Sequence, residues 1–216
     1  MNLIAIETAT ENCSVALLHQ NHIFHKELIA PQKHAELVLG YIQELLDEQG
    51  LNKTEIDGIV FGQGPGAFTG VRIATSIVQG LALALDLKVL PISTMHNMAH
   101  QIWQQNPNKN QLMLIANDAR MGEVYWATFE SKNGQLSRLS VDSLSAPEDV
   151  NFTDFNVCAG SAFQTMITVN TTAKVLPQTL PNAKTLIQIA QRDFVEHAHP
   201  INNITPSYVR ENVVFN

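Results

Sequence analysis

The chain has 216 residues, of which 45% are hydrophobic and 15% charged, and its formal net charge is −7. This composition is typical of a globular protein that buries a sizeable core, in one large domain or two small ones. Its 13 lysines and arginines form no run, whereas a chain that binds nucleic acid by itself usually needs a basic patch. The composition therefore disfavours tight binding of RNA by this chain alone.

Three features of the sequence predict the compartment. The only cysteines, Cys13 and Cys158, lie far apart and lack metal-ligand spacing, which favours a reducing environment. The N-terminal stretch has no basic segment and meets an acid at Glu7, which is untypical of a signal peptide. No apolar run approaches the roughly 20 residues of a membrane span. We expect a cytoplasmic protein without a membrane association.

The first half of the chain reads as strands and helices in alternation. Two β-prone runs, 3–7 and 14–18, flank the polar connection TATENC and predict a β-hairpin. Pro31 then precedes a helical segment that ends at Gly50. The other predicted elements of this half are a third strand at 23–29, a buried strand at 56–62, an apolar helix at 69–86, a strand at 88–93 and a helix at 94–105.

The order of elements begins again after the polar linker 106–111. An ungapped shift of 111 residues places LIAIETATENCSVALL (3–18) over LIANDARMGEVYWATF (114–129), so that Glu7 falls on Asp118. A looser echo pairs VFGQGPGAF with VCAGSAF, and a helical segment follows each. The repeat favours an internal duplication. It predicts an N-terminal lobe, 1–105, and a C-terminal lobe, 106–216, whose last segment is able to pack back on the first lobe.

A duplicated α/β unit with a hairpin and an acid at its first turn points to a particular fold. In that fold two lobes face each other across a cleft, and backbone N–H groups of the hairpin turns contact the phosphates of a nucleotide. The pattern resembles the fold shared by actin, sugar kinases and the large chaperone ATPases. The predicted class is therefore α/β, with the two-lobed actin-like (ASKHA) architecture and a mixed sheet with helices in each lobe.

The glycine-rich loop GQGPGAFTGVR, residues 62–72, has three interpretations. A phosphate-binding Walker loop needs a lysine that is missing here. The dinucleotide fingerprint fits Gly62, Gly64 and Ala67, but the next strand ends in PIST without the acid that holds a ribose, and Pro65 removes a backbone N–H. The third interpretation is structural, because glycines permit a tight strand-to-helix turn and close packing of the helix.

Both helices around this loop carry more apolar surface than one core contact needs. A stripe somewhat over 100° wide suffices, whereas the apolar positions of the first helix span roughly 200°. On the outer side of the second helix, Ser76 and Gly80 form a small-residue pair beside Leu83. We therefore predict a protein partner, with interface candidates His34, Val38, Tyr41, Leu45, Ile73, Ser76, Ile77, Gly80 and Leu83.

Three segments resemble the TsaB (YeaZ) family of bacterial tRNA threonylcarbamoyladenosine synthesis: IAIETATENCSVAL, GQGPGAFTGVRIA and DARMGEVYWATF. The terminal ITPSYVREN also resembles the closing segment of that family, and the match covers nearly the whole chain in the right order. The resemblance implies a two-lobed actin-like fold and a non-catalytic role. It further implies pairing with the catalytic paralogue TsaD through helices of the first lobe.

The same resemblance implies a larger assembly. With the ATPase TsaE, the TsaB–TsaD pair transfers threonylcarbamoyl from its adenylate to the adenosine following the anticodon, in tRNAs that read codons beginning with A. A metal on TsaD and ATP on TsaE are the implied cofactors, and none is expected on this chain. We expect contact with TsaE and tRNA only through the complex. We also expect a homodimer when the chain is alone, since large apolar surfaces are seldom left bare.

Two histidines, His96 and His100, lie four residues apart on one predicted helical face. Such a pair can bind zinc or iron if a third ligand is present, and Asp118 is a candidate by position. The resemblance implies that the metal-binding His-x-x-x-His of TsaD would fall near Thr94 and Met98, two residues away. The pair is therefore a weak metal candidate, and structural histidines are the favoured interpretation.

Glu7 and Asp118 mark the turns that hold phosphate in the ancestral fold. In ETAT the acid is longer than the usual aspartate and no glycine follows, so a phosphate would be poorly held. We predict no catalytic residue and interpret the acids as remnants that order the turns through Thr8, Thr10 and Arg120. The remnant phosphate loops comprise Glu7, Thr8, Thr10, Gly62, Gly64, Gly66, Thr69, Gly70, Asp118 and Arg120. Two alternatives stay open: an active phosphotransferase or metal-dependent acyl or carbamoyl transferase of the same fold, and a homodimeric scaffold without a tRNA role.

Overall fold

The structure is a computed structural model that describes residues 1–151, 153–167, 172–201 and 204–209. The first part of the chain contains β1 (Leu3–Glu7), β2 (Asn12–His19), β3 (His22–Ile29), α1 (His34–Glu48), β4 (Gly58–Gly64), α2 (Phe68–Leu85), β5 (Lys88–Ser93) and α3 (Thr94–Gln105). The second part contains β6 (Gln111–Asp118), β7 (Val124–Lys132), β8 (Gln135–Arg138), β9 (Ser143–Ser145), β10 (Val157–Ala159), α4 (Ala162–Thr165), β11 (Lys174–Leu176) and α5 (Ala183–His197). Every strand and helix predicted in the first half is present.

The first sheet has the strand order β3-β2-β1-β4-β5. The predicted hairpin of β1 and β2 is antiparallel, with Glu7 opposite Ser14. β4 and β5 add in parallel on the other side of β1, because the intervening helical segments return the chain to the same end of the sheet. The carboxyl ends of β1 and β4 therefore lie at one edge, which brings the Glu7 turn and the glycine loop together.

The second sheet repeats this arrangement in the order β8-β7-β6-β10-β11, and β9 pairs with β7. β6 and β7 form an antiparallel hairpin with Asp118 opposite Val124. β10 runs parallel to β6, as β4 runs parallel to β1. Because Glu7 and Asp118 each end the central strand of a sheet of the same topology, the structure supports the predicted duplication.

Contacts among the described residues define two compact units, Met1–Asn97 with Pro181–Pro206, and Met98–Leu180 with 207–209. The division falls inside α3, whereas the predicted lobes meet at residue 105. α5 lies within the range 106–216 of the predicted C-terminal lobe and packs on the first sheet, which that prediction allowed for the last segment of the chain. Its apolar side is needed there, because a sheet with parallel strands requires cover on both faces.

The core of the first unit has one layer on each face of its sheet. Alternate side chains of a strand point to opposite faces. Ile4 and Ile6 of β1 accordingly pack in the layer that includes α1 and α2, whereas Leu3 and Ala5 pack in the layer that includes α5. All five residues of β1 are buried, so both sides of this strand stabilise the unit.

The second unit has a core of its own. It includes Leu114 and Ala116 of β6, Cys158 of β10 and Phe163 of α4. Gly160 follows β10 with a φ of 112°, and a Cβ there would lie 2.3 Å from the carbonyl oxygen of Ala116. The glycine after β10 therefore allows the chain to turn directly against β6.

One helix within the described residues, α2, is long and apolar enough to cross a bilayer, with a mean hydropathy of 1.4. The sequence-based expectation that no apolar run approaches this length therefore has one exception. A third of the helix is buried, at 33%, and the core helices of soluble proteins meet the same criteria. The composition of this single helix is weak evidence for a membrane span.

Candidate functional site

The carboxylate of Glu7 lies at the end of β1 and is completely buried. Its Oε1 accepts a hydrogen bond from the backbone N–H of Ala9 at 2.8 Å, and its Oε2 accepts one from Nδ2 of Asn97 at 3.4 Å. Burial raises the pKa of Glu7 to about 7, although the hydrogen bonds from Ala9, Thr8 and Asn97 act in the opposite direction. Glu7 is therefore a buried acid that titrates near neutral pH.

The glycine loop packs directly on the β1–β2 turn. A Cβ at Gly66 would lie 2.4 Å from the carbonyl oxygen of Ala9, and one at Gly70 would lie 2.0 Å from the carbonyl oxygen of Thr8. Two hydrogen bonds join the same segments: Ala67 N–H donates to the Ala9 oxygen at 2.8 Å, and Thr8 Oγ1 donates to the Gly70 oxygen at 2.8 Å. These glycines are thus needed for contact with the turn, which supports the structural interpretation of the loop.

Gly62 makes room for the buried acid itself, since a Cβ there would lie 2.1 Å from Oε2 of Glu7. Gly64 has a φ of 101°, which favours glycine. Of the remaining predicted loop residues, Thr69 is exposed on α2, and Thr10 accepts a hydrogen bond from the backbone N–H of Asn12 at 3.4 Å. The hydrogen-bond donors of the β1–β2 turn therefore bind the chain's own Glu7 carboxylate and backbone.

The second predicted turn, after β6, is open. The Asp118 carboxylate accepts a hydrogen bond from the backbone N–H of Arg120 at 2.6 Å and pairs with its guanidinium at 3.1 Å. The Asp118 side chain is 26% exposed and that of Arg120 is 86% exposed. Arg120, Met121 and Gly122 all have left-handed φ angles, of 64°, 57° and 80°. The acid here orders a tight exposed turn, whereas Glu7 contacts backbone and Asn97 rather than the hydroxyls of Thr8 and Thr10.

His96 and His100, whose spacing suggests a metal-binding pair, lie on α3. His100 is buried, its ring packs on Trp103 with centroids 4.9 Å apart, and its Nε2 lies 3.1 Å from Nε2 of Gln104. His96 is half-buried. Among the described residues, no group of three or more histidine, cysteine, aspartate or glutamate side chains is arranged to hold a metal ion.

The predicted interface residues divide into two groups. Val38 and Leu45 are buried in the core beneath α1, and His34 is also buried, so these three do not lie on an exposed surface. The reason is the position of α1 on the sheet, which uses this side of the helix for the unit's own core. The others lie at least partly at the surface: Tyr41, Ile73 and Ile77 are half-buried, and Ser76, Gly80 and Leu83 are exposed.

Two exposed residues of α1, Leu39 and Gly40, extend this surface and were not among the predicted interface residues. Leu39 of α1 is 53% exposed and Leu83 of α2 is 76% exposed. Gly40 and Gly80 lie inside the two helices, and a Cβ at either would have no atom of the chain within 4 Å. We call the exposed residues Leu39 and Gly40 of α1 with Ser76, Gly80 and Leu83 of α2 the outer face.

A cavity of about 250 Å³ lies between α1 and α2 above β1 and β4. Apart from Gln43 and Lys53 its lining is apolar, and it includes Leu39, Ile42, Leu46, Leu81, Leu85 and Leu87. Because Leu39 belongs to both the lining and the outer face, the cavity reaches the surface there.

Asn97 was not predicted as a site residue. It follows His96, the residue that the metal pattern singles out, but its own amide makes the buried contact with Glu7. The sequence could have pointed to Asn97 only through Glu7, because a fully buried carboxylate requires hydrogen-bond donors nearby.

Comparisons with known proteins identify the family. A family model described as TsaD: tRNA N6-adenosine threonylcarbamoyltransferase matches residues 26–174. The tRNA threonylcarbamoyladenosine biosynthesis proteins TsaB of Escherichia coli and Haemophilus influenzae are each 34% identical over 100% of this chain, which spans 97% and 96% of them. The solved structure of YeaZ from Pseudomonas aeruginosa is 32% identical with a TM-score of 0.85, and the match covers 96% of this chain and 99% of that one.

These likenesses extend over nearly the whole length, so they confirm the predicted α/β fold of ASKHA type with two mixed sheets. They also confirm the resemblance carried by the three sequence segments. The chain belongs to the TsaB (YeaZ) family of tRNA threonylcarbamoyladenosine biosynthesis proteins.

Proposed function

We propose that this chain is a non-catalytic subunit of the complex that transfers threonylcarbamoyl to the adenosine following the anticodon of tRNAs that read codons beginning with A. In that complex it binds the catalytic paralogue TsaD and holds it in a competent form. The observation that carries the proposal is the outer face, since nothing in the chain itself covers Leu39 and Leu83 among the described residues. Exposed apolar residues over an apolar cavity are typical of a protein-binding surface.

The glycines of the outer face support a close helix contact. A glycine inside a helix costs about 0.5–1 kcal/mol relative to alanine. Gly40 and Gly80 bring no compensating contact within the chain, because a Cβ would meet open space at both positions. A partner backbone that approaches the helices at these points accounts for both.

The first turn supports the absence of catalysis by this chain. The backbone N–H of Ala9 and the amide of Asn97 already bind the Glu7 carboxylate, and Gly66 and Gly70 pack on the same turn. A nucleotide phosphate would have to displace a buried anion of the chain itself. The family resemblance supports the rest of the proposal: any metal lies on TsaD and the ATP on TsaE, and this chain reaches TsaE and tRNA through the complex in the cytoplasm. Without TsaD, the same outer face would support a homodimer.

The partner claim is tested by co-purification of tagged TsaD with variants of this chain. We expect Leu83→Asp to abolish pairing, because it places a charge on the outer face. Val195→Asp is a matched control, since Val195 is 86% exposed on α5, away from α1 and α2. Pairing of Leu83→Asp at the level of the control would contradict the proposal.

Nucleotide titration separates this function from that of an active transferase. Calorimetry of the isolated chain with ATP and magnesium should give no binding in the micromolar range. Reconstituted tRNA modification should then require TsaD and TsaE together with this chain. Micromolar binding of a nucleotide, or transfer activity of this chain alone, would favour the phosphotransferase or acyl transferase alternative.

A further inference from the structure

Glu7 belongs to a buried chain of hydrogen bonds that extends to the start of α5. The Nδ2 of Asn97 donates both to Oε2 of Glu7 at 3.4 Å and to the carbonyl oxygen of Asn182 at 2.9 Å. The Oδ1 of Asn97 accepts the backbone N–H of Asn182 at 3.3 Å, and Oδ1 of Asn182 in turn accepts the N–H of Thr185. Asn182 therefore caps α5 with its side chain, while its backbone is hydrogen-bonded to Asn97, the residue that also binds Glu7.

Two residues of β2 hold the same segment from another side. The Nδ2 of Asn12 donates to the carbonyl oxygen of Pro181 at 3.0 Å, and the backbone N–H of Ala183 donates to Oγ of Ser14 at 3.0 Å. Residues 181–183 thus return to the first unit through buried hydrogen bonds next to the β1–β2 turn. This contact fixes where α5 begins on the first sheet.

We propose that Glu7, Asn97 and Asn182 form a pH-sensitive clasp in which the charge state of the Glu7 carboxylate sets how firmly the start of α5 is held. The proposal goes beyond the partner role and concerns the first unit alone. It rests on geometry: the Glu7 carboxylate is fully buried without a counter-charge among the described residues, and its amide partner Asn97 is shared with the segment that caps α5.

Among the described neighbours of Glu7, no cation compensates its charge. Charged or titratable side chains of the neighbouring elements include Glu11 in the turn, Cys13 on β2, Arg72 on α2, His96 on α3 and Lys184 on α5. Within the described residues, none of them is hydrogen-bonded to or paired with Glu7. Arg72 stacks on Phe68, and burial raises the pKa of Cys13 to about 11, so that this thiol stays neutral.

The direction of the effect follows from desolvation. An ionised carboxylate is disfavoured in a buried site, whereas opening of the clasp hydrates it. Burial raises the pKa of Glu7 from 4.5 to about 7, so between these values the closed form binds the proton more tightly than the open form does. Rising pH through this range therefore favours opening, and acidification favours the clasped state.

Hydrogen exchange of individual backbone amides tests the clasp in the full-length protein. The informative amides are Ala9, which is bound to Glu7, and Asn182 and Thr185, at the start of α5. In the wild type, their protection factors should fall by about tenfold or more between about pH 5.5 and about pH 8, after correction for intrinsic exchange. In Glu7→Gln the corrected values should be independent of pH, and in the matched control Glu11→Gln, an exposed acid in the same turn, they should follow the wild type.

A second variant tests whether Asn97 transmits the effect. In Asn97→Ala, Ala9 should still respond to pH, whereas Asn182 and Thr185 should lose their pH dependence. A carbon-13 NMR titration of the Glu7 carboxyl group adds a readout that requires no substitution and is available if Glu7→Gln does not fold. Parallel pH profiles of the wild type and Glu7→Gln would overturn the proposal. So would a Glu7 carboxyl that titrates near the ordinary 4.5, or an unchanged response at Thr185 in Asn97→Ala.

Discussion

The turns after β1 and β6 occupy the same position in two sheets of the same topology, yet they differ in environment. The turn after β1 is covered by the glycine loop, and its acid, Glu7, is completely buried. At the turn after β6, Asp118 is only half-buried and pairs with an exposed Arg120. The two sheets thus share one strand order, while the turns after β1 and β6 differ in burial.

The two turns use their polar groups differently. At the first turn, backbone and amide donors bind an internal carboxylate and the glycines bring the next helix into contact. At the second turn, the aspartate orders its own backbone and pairs with the exposed Arg120, and its backbone N–H donates to Oγ of Ser161. Both turns contain an acid, so what distinguishes them is whether its carboxylate is buried.

The largest loss of stability is expected for Gly70→Ala, which changes the packing of the covered turn after β1. The added Cβ would lie 2.0 Å from the backbone oxygen of Thr8, an atom that cannot move without shifting β1 and its turn. We expect a loss of more than about 3 kcal/mol in the free energy of unfolding, or no folded protein. Chemical denaturation monitored by circular dichroism measures this loss.

Two alanine variants serve as controls for Gly70→Ala. Gly80→Ala, in the same helix with open space around it, should stabilise the isolated chain by about 0.5–1 kcal/mol. Gly122→Ala, in the open turn at a φ of 80°, should cost only about 1–2 kcal/mol. Equal losses at Gly70 and Gly122 would mean that the two turns are packed alike.

The next effect concerns the pH dependence of stability. Because the folded pKa of Glu7 is about 7 and its ordinary value is 4.5, the folded state binds more protons between these values. The free energy of unfolding should therefore be greatest below pH 4.5, fall as the pH rises to about 7, and then level off. The contribution is on the order of 3 kcal/mol.

Urea denaturation midpoints of the wild type and Glu7→Gln, measured across this range, check that contribution. The variant should lose the slope between pH 4.5 and about 7, since an amide does not titrate. Asp118→Asn should keep the wild-type slope, because Glu7 is intact. If Glu7→Gln retained the pH-dependent slope, that slope would have to come from another titratable group.

The smallest effect is expected for Asp118→Asn itself. The substitution weakens the ion pair with Arg120, whose side chain is 86% exposed and therefore strongly screened by water. We expect less than about 1 kcal/mol of destabilisation at neutral pH. Thermal unfolding of Asp118→Asn and Glu7→Gln should be measured side by side. A larger change in stability for Asp118→Asn than for Glu7→Gln would contradict the comparison of the two turns.

The sequence alone predicted the hairpins, the helices of the first half, the duplication and the family. These features depend on local order: strand alternation, helical periodicity, the turn residues between them and three uninterrupted family segments. The glycines of the loop also had a structural interpretation before the fold was known, because they follow a strand and precede a helix. Short-range sterics and side-chain spacing are encoded within a few residues, so such features can be read directly.

Contacts between distant parts of the chain needed the structure. α5 follows the second sheet in sequence but packs on the first, Val38 and Leu45 face the core instead of a partner, and the partner of Glu7 is Asn97, ninety positions along the chain. Periodicity tells which residues of a helix are apolar, but the element that covers them depends on the packing of the whole unit. The burial that raises the pKa of Glu7 has the same origin, since no single segment of the sequence encloses that carboxylate.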